Sequence, residues 1–305
     1  MTFPDCVDGK MGRVALPGTC GELVQGTLDE VPCLVSCPID RYSVAAISLL
    51  PNADWILPPG MPKTHAALQA GLRYLGKAAA GGWLHMHSTL PRGRGYGSST
   101  ADIGATLYAL GWATAIPLAP LEVAKLAVQV EPTDSSILPG LALWDHRHGR
   151  LYTDLGVPPA LWIIVLDPGG EVDTLTFNRC DHRAALQKLA PIHREAFTLL
   201  QDGIRRGDID SIGAAATLSA TAHQTILCNP FLDLALSLSR EVGAVGLCRA
   251  HSGTILGVLL DPGRTAVRHA VAYCKRQLGP GVHVFSTPMV SGGPRSLIVT
   301  SMQNS

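Results

Sequence analysis

The period of apolar and polar positions changes several times along this chain, and the changes mark out its elements. Residues 13–16 form a short apolar run that ends at Pro17 and Gly18, and residues 42–50, rich in strand formers, end at Pro51 and Asn52. Pro58, Pro59, Gly60 and Pro62 make a turn. Over 63–80 the period lengthens, so that Ala67, Leu68, Leu72 and Leu75 share one face of a helix, which Gly81 and Gly82 end. Residues 83–88 alternate as a strand does. Residues 98–111 and 120–130 read as helices, the second with Pro120 in its first turn, where no N–H is needed. The unbroken apolar run 161–166, bounded by Pro159 and by Asp167-Pro168-Gly169-Gly170, predicts a buried strand. The pattern is mostly helical over 182–242. Strands follow over 244–250 and 254–260, then a helix over 263–278 and a strand over 282–286. No internal repeat is evident. This order predicts an α+β fold, with a boundary near 155–159 that gives domains over 1–157 and 158–305.

Composition narrows the partners. Of 305 residues, 47% are hydrophobic and 16% charged, which suits a dense core and argues against disorder. Lys plus Arg equals Asp plus Glu, at 24 each, so no basic field exists to gather nucleic acid or an anionic membrane. A small-molecule partner is expected instead. The eight cysteines (Cys6, Cys20, Cys33, Cys37, Cys180, Cys228, Cys248 and Cys274) form no CxxC pair and read as free thiols in a reducing compartment. The first residues contain no apolar signal-like core. The charge-free stretch 103–121 approaches the length of a membrane span, but Gly104, Gly111, Pro117 and Pro120 interrupt it, and a buried helix ending before Pro117 fits better. A cytoplasmic protein is expected. His85 and His87 share one face of a strand without a third metal ligand, and Asp145-His146-Arg147-His148 reads as a hairpin turn.

The strongest chemical signal is Pro91-Arg92-Gly93-Arg94-Gly95-Tyr96-Gly97-Ser98-Ser99-Thr100-Ala101. Alternating glycines let the backbone approach a ligand and turn its N–H groups inward. The helix that follows offers unsatisfied N–H groups and the positive end of its dipole. Ser98, Ser99 and Thr100 place hydroxyls at that helix start. The same residues would also suit a glycine-rich turn with a serine cap. The loop is not a Walker A sequence, because no Gly-Lys-Ser/Thr follows, and the third glycine of a dinucleotide fingerprint is missing. Further on, Glu131-Pro132-Thr133-Asp134-Ser135-Ser136 supplies two carboxylates in a turn-rich segment. Phosphoryl transfer asks for such groups: one to hold a metal against the phosphates and one to orient the attacking hydroxyl.

Residues 91–101 resemble the P-x-G-x-G-L-G-S-S-A-A motif of the GHMP kinases, with Tyr96 for the usual Leu and Thr100 for the first Ala. Residues 16–26 (Leu16-Pro17-Gly18-Thr19-Cys20-Gly21-Glu22-Leu23-Val24-Gln25-Gly26) resemble that family's first motif, and 250–257 resemble its third. The resemblance implies a two-domain fold, with a ribosomal-protein-like α+β domain followed by a ferredoxin-like α+β domain and the active site between them. It implies ATP as phosphate donor, held by Pro91, Gly93, Gly95, Tyr96, Gly97, Ser98, Ser99, Thr100, Ser252 and Gly253. It implies Mg²⁺ on Ser99 and Glu131, Asp134 as the catalytic acid, and acceptor binding by Glu22, Thr19 and Cys20. Mevalonate-type members carry Lys or Arg where this chain has Thr19, and the spacing from Glu131 to Asp134 is shorter than theirs.

The first motif, together with Glu-Pro-Thr-Asp-Ser-Ser-Ile-Leu-Pro-Gly over 131–140, is most similar to the L-threonine kinases within this family. They make O-phospho-L-threonine for the aminopropanol linker of cobalamin. Glu22 would then receive the ammonium group, while Arg41, Arg92 and Arg249 remain equal candidates for the carboxylate. His251, inside the third motif, receives no assigned role. The competing readings are homoserine kinase or another small-alcohol kinase, and a catalytically inactive nucleotide sensor.

Overall fold

The computed structural model, which describes residues 11–170 and 182–296, is built on one long antiparallel hairpin of β1 (Met11–Leu28) and β2 (Val31–Leu50). Cys6 and Cys180 lie outside the described residues. The hairpin differs from the sequence expectation in two ways. β1 does not stop at Pro17-Gly18. It runs on through register shifts between Pro17 and Thr19, Thr19 and Glu22, and Glu22 and Val24, which absorb the missing proline N–H as bulges do. The strand over 31–41 is also hidden in the sequence, because Pro32 and Pro38 interrupt its pattern. Asp29 and Glu30 close the hairpin with φ of 47° and 65°, the two left-handed residues of a tight turn that lacks the Asn-Gly signal.

The other strands are β3 (Trp55–Ile56), β4 (Gly81–Ser88), β5 (Leu141–Trp144), β6 (Tyr152–Gly156), β7 (Trp162–Asp167), β8 (Gly246–Arg249), β9 (Leu256–Leu260), β10 (His283–Pro288) and β11 (Arg295–Ser296). The described helices are α1 (Pro62–Tyr74), α2 (Ser98–Ala113), α3 (Pro120–Val130), α4 (Arg183–Arg206), α5 (Ile209–His223), α6 (Leu232–Glu241) and α7 (Val267–Leu278). The strands form one 11-stranded sheet in the order β10-β7-β9-β8-β1-β2-β4-β3, with β5, β6 and β11 attached beside this path. Apart from the parallel β3–β4 pair, neighbours run antiparallel, so the fold is α+β.

The helices follow the expected pattern with shifted ends. α1 stops at Tyr74 because Gly76 turns left-handed at φ 64°. The long helical stretch divides in three. Gly207 ends α4, and Asp208 opens α5 by accepting the Ser211 N–H at 3.2 Å. α2 is buried nearly all round, with Trp112 as its one exposed residue. That explains its weak amphipathic signal and its charge-free sequence. Fully buried leucines such as Leu107 and Leu110 contribute about 1.5–3 kcal/mol each. Among the described residues no helix is long and apolar enough to cross a membrane.

The two halves of the sheet meet at β1. Glu22 pairs with Arg249 of β8, α4 and α5 pack on β1, and β11 returns to pair with it. The first and third motifs are thereby neighbours.

Candidate functional site

The glycine loop is held between those two motifs. From the first, the Thr19 N–H donates to the Tyr96 carbonyl at 2.9 Å and the Gly21 N–H to the Gly95 carbonyl at 3.3 Å. From the third, the Thr254 and Ile255 N–H groups share the Arg94 carbonyl at 3.0 and 3.2 Å. Gly253 has to be glycine, since a Cβ there would fall 2.4 Å from that carbonyl. Below the loop, Tyr96 donates its hydroxyl to Asp167 at 3.0 Å, and Arg94 pairs with the same buried carboxylate at 3.2 Å. Burial raises the Tyr96 phenol, so it remains a donor. The loop backbone is fixed before any ligand arrives.

α2 begins where this loop ends. Gly97 takes φ 63° as its N-cap, and a Cβ there would lie 2.7 Å from Asp134 Oδ2 and 3.0 Å from Thr19 Oγ1. The bare α2 N-terminus, the Asp134 carboxylate and the Thr19 hydroxyl therefore share one point. The Ser99 hydroxyl bonds to Glu131, and Lys63 at the head of α1 pairs with the other oxygen of Glu131. The Asp134 N–H donates to Thr100 Oγ1 at 3.0 Å.

These groups surround a cleft of about 340 Å³. Of the residues expected from sequence, Gly93, Gly95, Tyr96, Gly97, Ser98, Ser99, Thr100, Glu131, Asp134, Glu22 and Ser252 line it. Pro91 and Gly253 support the loop from outside the lining, and Thr19 stands behind Gly97. Cys20 does not line the cleft. It is fully buried, and its sulfur and that of Cys248 fill the space left by the absent side chain of Gly257. Lys63 and Asp102 join the lining without having been singled out in the sequence. Nothing local marks Lys63, whose partner is 68 positions away along the chain. Asp102 is tied to Ser43 and, at 3.4 Å, to Arg92.

The electrostatics favour an acid that ionises late. Burial first, and then the charge of Glu131, push the Asp134 carboxyl up to about 6, against a weaker downward pull from Thr100. Glu22 is 3% exposed, and its Oε2 has no hydrogen-bond partner among the described residues. Burial and the charge of Asp134 raise its carboxyl well above the usual range, and the Ser36 hydroxyl partly offsets this. A cation lodged beside Glu22 would favour its ionised form. Among the described residues no three His, Cys, Asp or Glu side chains are grouped to hold a metal alone. The Ser99–Glu131 pair offers hard oxygen donors at the edge of an anion cradle. That suits Mg²⁺, which takes one or two protein ligands beside phosphate oxygens.

Of the three arginines weighed for the carboxylate, Arg92 lines the cleft, and Arg41 and Arg249 do not. Arg92 also reaches Asp102 at 3.4 Å, and Arg41 stacks 3.8 Å from the Phe285 ring centroid. Arg249 is fully buried and donates to Gln224 and to the Leu227 carbonyl, at 2.9 and 2.8 Å.

Comparison with known proteins agrees with this geometry. Residues 63–138 match the family description "GHMP kinases N terminal domain", and residues 200–276 match "GHMP kinases C terminal". The chain is 32% identical over 290 residues to an L-threonine kinase from Salmonella typhimurium, covering 91% of this chain and 93% of the relative. It is 32% identical over 271 residues to an L-threonine kinase from Citrobacter freundii, covering 88% and 91%. The crystal structure of homoserine kinase from Cytophaga hutchinsonii superposes with a TM-score of 0.73 at 16% identity, over 97% of this chain and all of that one (100%). At that identity the likeness speaks to the fold. The loop clamped by two distant motifs, both family matches and these relatives lead to one conclusion: the chain belongs to the GHMP kinases, a family that uses ATP as phosphate donor, and is a kinase.

Proposed function

We propose that the protein transfers the γ-phosphoryl group of ATP to the side-chain hydroxyl of L-threonine, giving ADP and O-phospho-L-threonine. One observation carries this reading. A single cleft brings the phosphate loop, the Ser99–Glu131 pair, Asp134 and the buried, half-partnered carboxylate of Glu22 together. The named L-threonine kinase relatives, matched over nearly their whole length, support the same acceptor. We read residues 1–157 and 158–305 as the two domains that contribute to this cleft.

In this reading the N–H groups of residues 95–99 hold the phosphates, and Ser252 and Gly253 complete the cradle. Ser99 and Glu131 would hold Mg²⁺, which when bound neutralises phosphate charge. Lys63 adds a cation beside them. Glu22 takes the ammonium group of the acceptor and so fixes which way its hydroxyl points. Asp134 accepts the hydroxyl proton as the oxygen attacks phosphorus. A carboxylate with a proton affinity near 6 suits a base working close to neutrality. Thr19, standing where mevalonate-type members carry a cation, leaves that affinity high. Free thiols at Cys20, Cys33, Cys37, Cys228, Cys248 and Cys274 support a reducing, cytoplasmic setting. By the resemblance to L-threonine kinases, the product would feed the aminopropanol linker of cobalamin.

The test is acceptor-dependent ADP release by purified protein with Mg-ATP and, separately, L-threonine, L-serine, L-homoserine or no acceptor. Release well above background with threonine is expected. Release with homoserine alone, or with no acceptor dependence, would contradict the assignment.

A further inference from the structure

Behind His251 lies a second cavity, of about 710 Å³. His251 lines both spaces, and Gln25 of β1 holds it there through a 2.6 Å contact to its Nδ1. The turn after β5 forms part of the far wall. Its geometry is rigid, because the fully buried Asp145 accepts the N–H groups of Arg147, His148 and Arg150 at 3.1, 3.0 and 3.1 Å. That turn places His146 and Arg147 on the cavity wall.

Both side chains lack hydrogen-bond partners among the described residues. His146 is 5% exposed, and neither ring nitrogen is met in the fold. It packs edge-on against His251, with centroids 5.0 Å apart. A buried polar group left unmet destabilises the fold, a penalty that a ligand or bound water would remove. The guanidinium of the half-buried Arg147 makes no hydrogen bond or ion pair with a described residue. Among the described residues the lining includes Arg147 and one acid, Glu30, at the exposed tip of the β1–β2 hairpin. Burial, helped by neighbouring cations, holds His251 down to about 3 and His146 well below the ordinary imidazole range. Both rings are therefore neutral at physiological pH; His251 gives its one N–H to the Gln25 amide oxygen, and His146 keeps one to donate. The charge of Arg147 and a neutral N–H donor on His146 suit a carboxylate.

We infer that this cavity receives the carboxylate end of the acceptor, with Arg147 as its ion-pairing partner and His146 as a hydrogen-bond donor, reached past His251 from the cleft that holds Glu22 and Asp134. The inference rests on the reading that the acceptor is a hydroxy amino acid. It makes the turn after β5 a determinant of specificity. Alcohols that carry both an ammonium and a carboxylate group are selected, and amino alcohols without the acid are rejected.

The experiment compares L-threonine with L-threoninamide, which keeps the hydroxyl and ammonium groups but neutralises the carboxylate. Steady-state constants are measured for the wild-type protein and for Arg147→Gln and Arg147→Lys. The wild-type protein should favour threonine. Arg147→Gln should raise the threonine KM by ~10–100-fold, as loss of a charge-assisted contact does, while the threoninamide KM and the ATP KM stay put. Arg147→Lys should recover part of the loss, since the charge remains and the fork is lost. An Arg147→Gln protein that keeps the wild-type ratio between the two acceptors overturns the assignment. So does one that loses both acceptors equally, because that is the mark of a structural role. A wild-type protein that ignores threonine fails earlier, and that result sinks the functional reading itself.

Discussion

Asp134 carries two opposed consequences of its position. Burial and the charge of Glu131 raise its proton affinity to about 6, so between its unfolded value near 4 and that point the folded protein binds the extra proton. The stability linked to this group is therefore present below pH 4 and lost as pH rises through about 6. At neutral pH the ionised carboxylate strains the fold. Asp134→Asn should then lower turnover by ~10²–10⁴-fold, the usual loss of a general base. The same variant should melt higher at pH 7, by about 1–2 kcal/mol of added stability. Calorimetry at pH 4 and pH 7 checks the sign, because the gain should vanish at pH 4. In the wild-type protein, kcat/KM for the acceptor should fall about tenfold per unit below pH 6. Glu22→Gln should act differently, raising the acceptor KM by ~10-fold or more with little effect on the ATP KM, read by initial rates. Asp134, Glu131 and Ser99 were legible in the sequence because each stands in a short motif with its own chemistry. Lys63, His146 and Arg147 were not. Lys63 reaches its partner only through the packing of α1 beside α3, whose C-terminal cap is Glu131, and the turn after β5 gains meaning only from the cavity that it faces.

At the scale of elements, the glycine loop is held by its neighbours as a cradle would need to be. Its carbonyls at Arg94, Gly95 and Tyr96 accept from the N–H groups of Thr19, Gly21, Thr254 and Ile255, which fixes the loop backbone at the edge of the cleft. Gly97 is the point at which any side chain would intrude. Its φ is 63°, and a methyl group on its Cα would sit 2.7 Å from Asp134 Oδ2 and 3.0 Å from Thr19 Oγ1, so Gly97→Ala would be strained in backbone and crowded in space. It should destabilise the fold by about 1–2 kcal/mol and raise the ATP KM, measured by thermal unfolding and by initial rates. The helix over 120–130 matched its prediction residue for residue, because Pro120 opens it and Val123, Ala124, Leu126 and Ala127 form its buried face. The β1–β2 hairpin was harder to see. Its turn uses Asp29 and Glu30 in place of glycine, and its strands carry Pro17, Pro32 and Pro38 where a simple pattern would end them.

At the scale of the whole molecule, three segments far apart in sequence become one site because β1 runs through the centre of the sheet. The first motif lies on β1, the third follows β8, and Glu22 sits at the pairing between them. A ligand in the cleft touches residues from α1, the loop before α2, the turn after α3 and the turn after β8, so binding should tighten both halves together. Mg-ATP at 100 times its Kd should add about 2.7 kcal/mol to unfolding, seen as one upward shift of the melting transition. The order of the motifs was visible in the sequence, but their mutual contact was not, since it depends on the bulged course of β1. The central claim is that this site phosphorylates the threonine hydroxyl, and phosphorus NMR of the reaction product tests it most directly. Purified protein is incubated with Mg-ATP and equal concentrations of L-threonine, L-serine and L-homoserine. The account predicts a phosphomonoester signal split into a doublet by the single proton on the threonine β-carbon. A triplet, which marks phosphate on the CH₂–O of serine or homoserine, or inorganic phosphate alone, would contradict it.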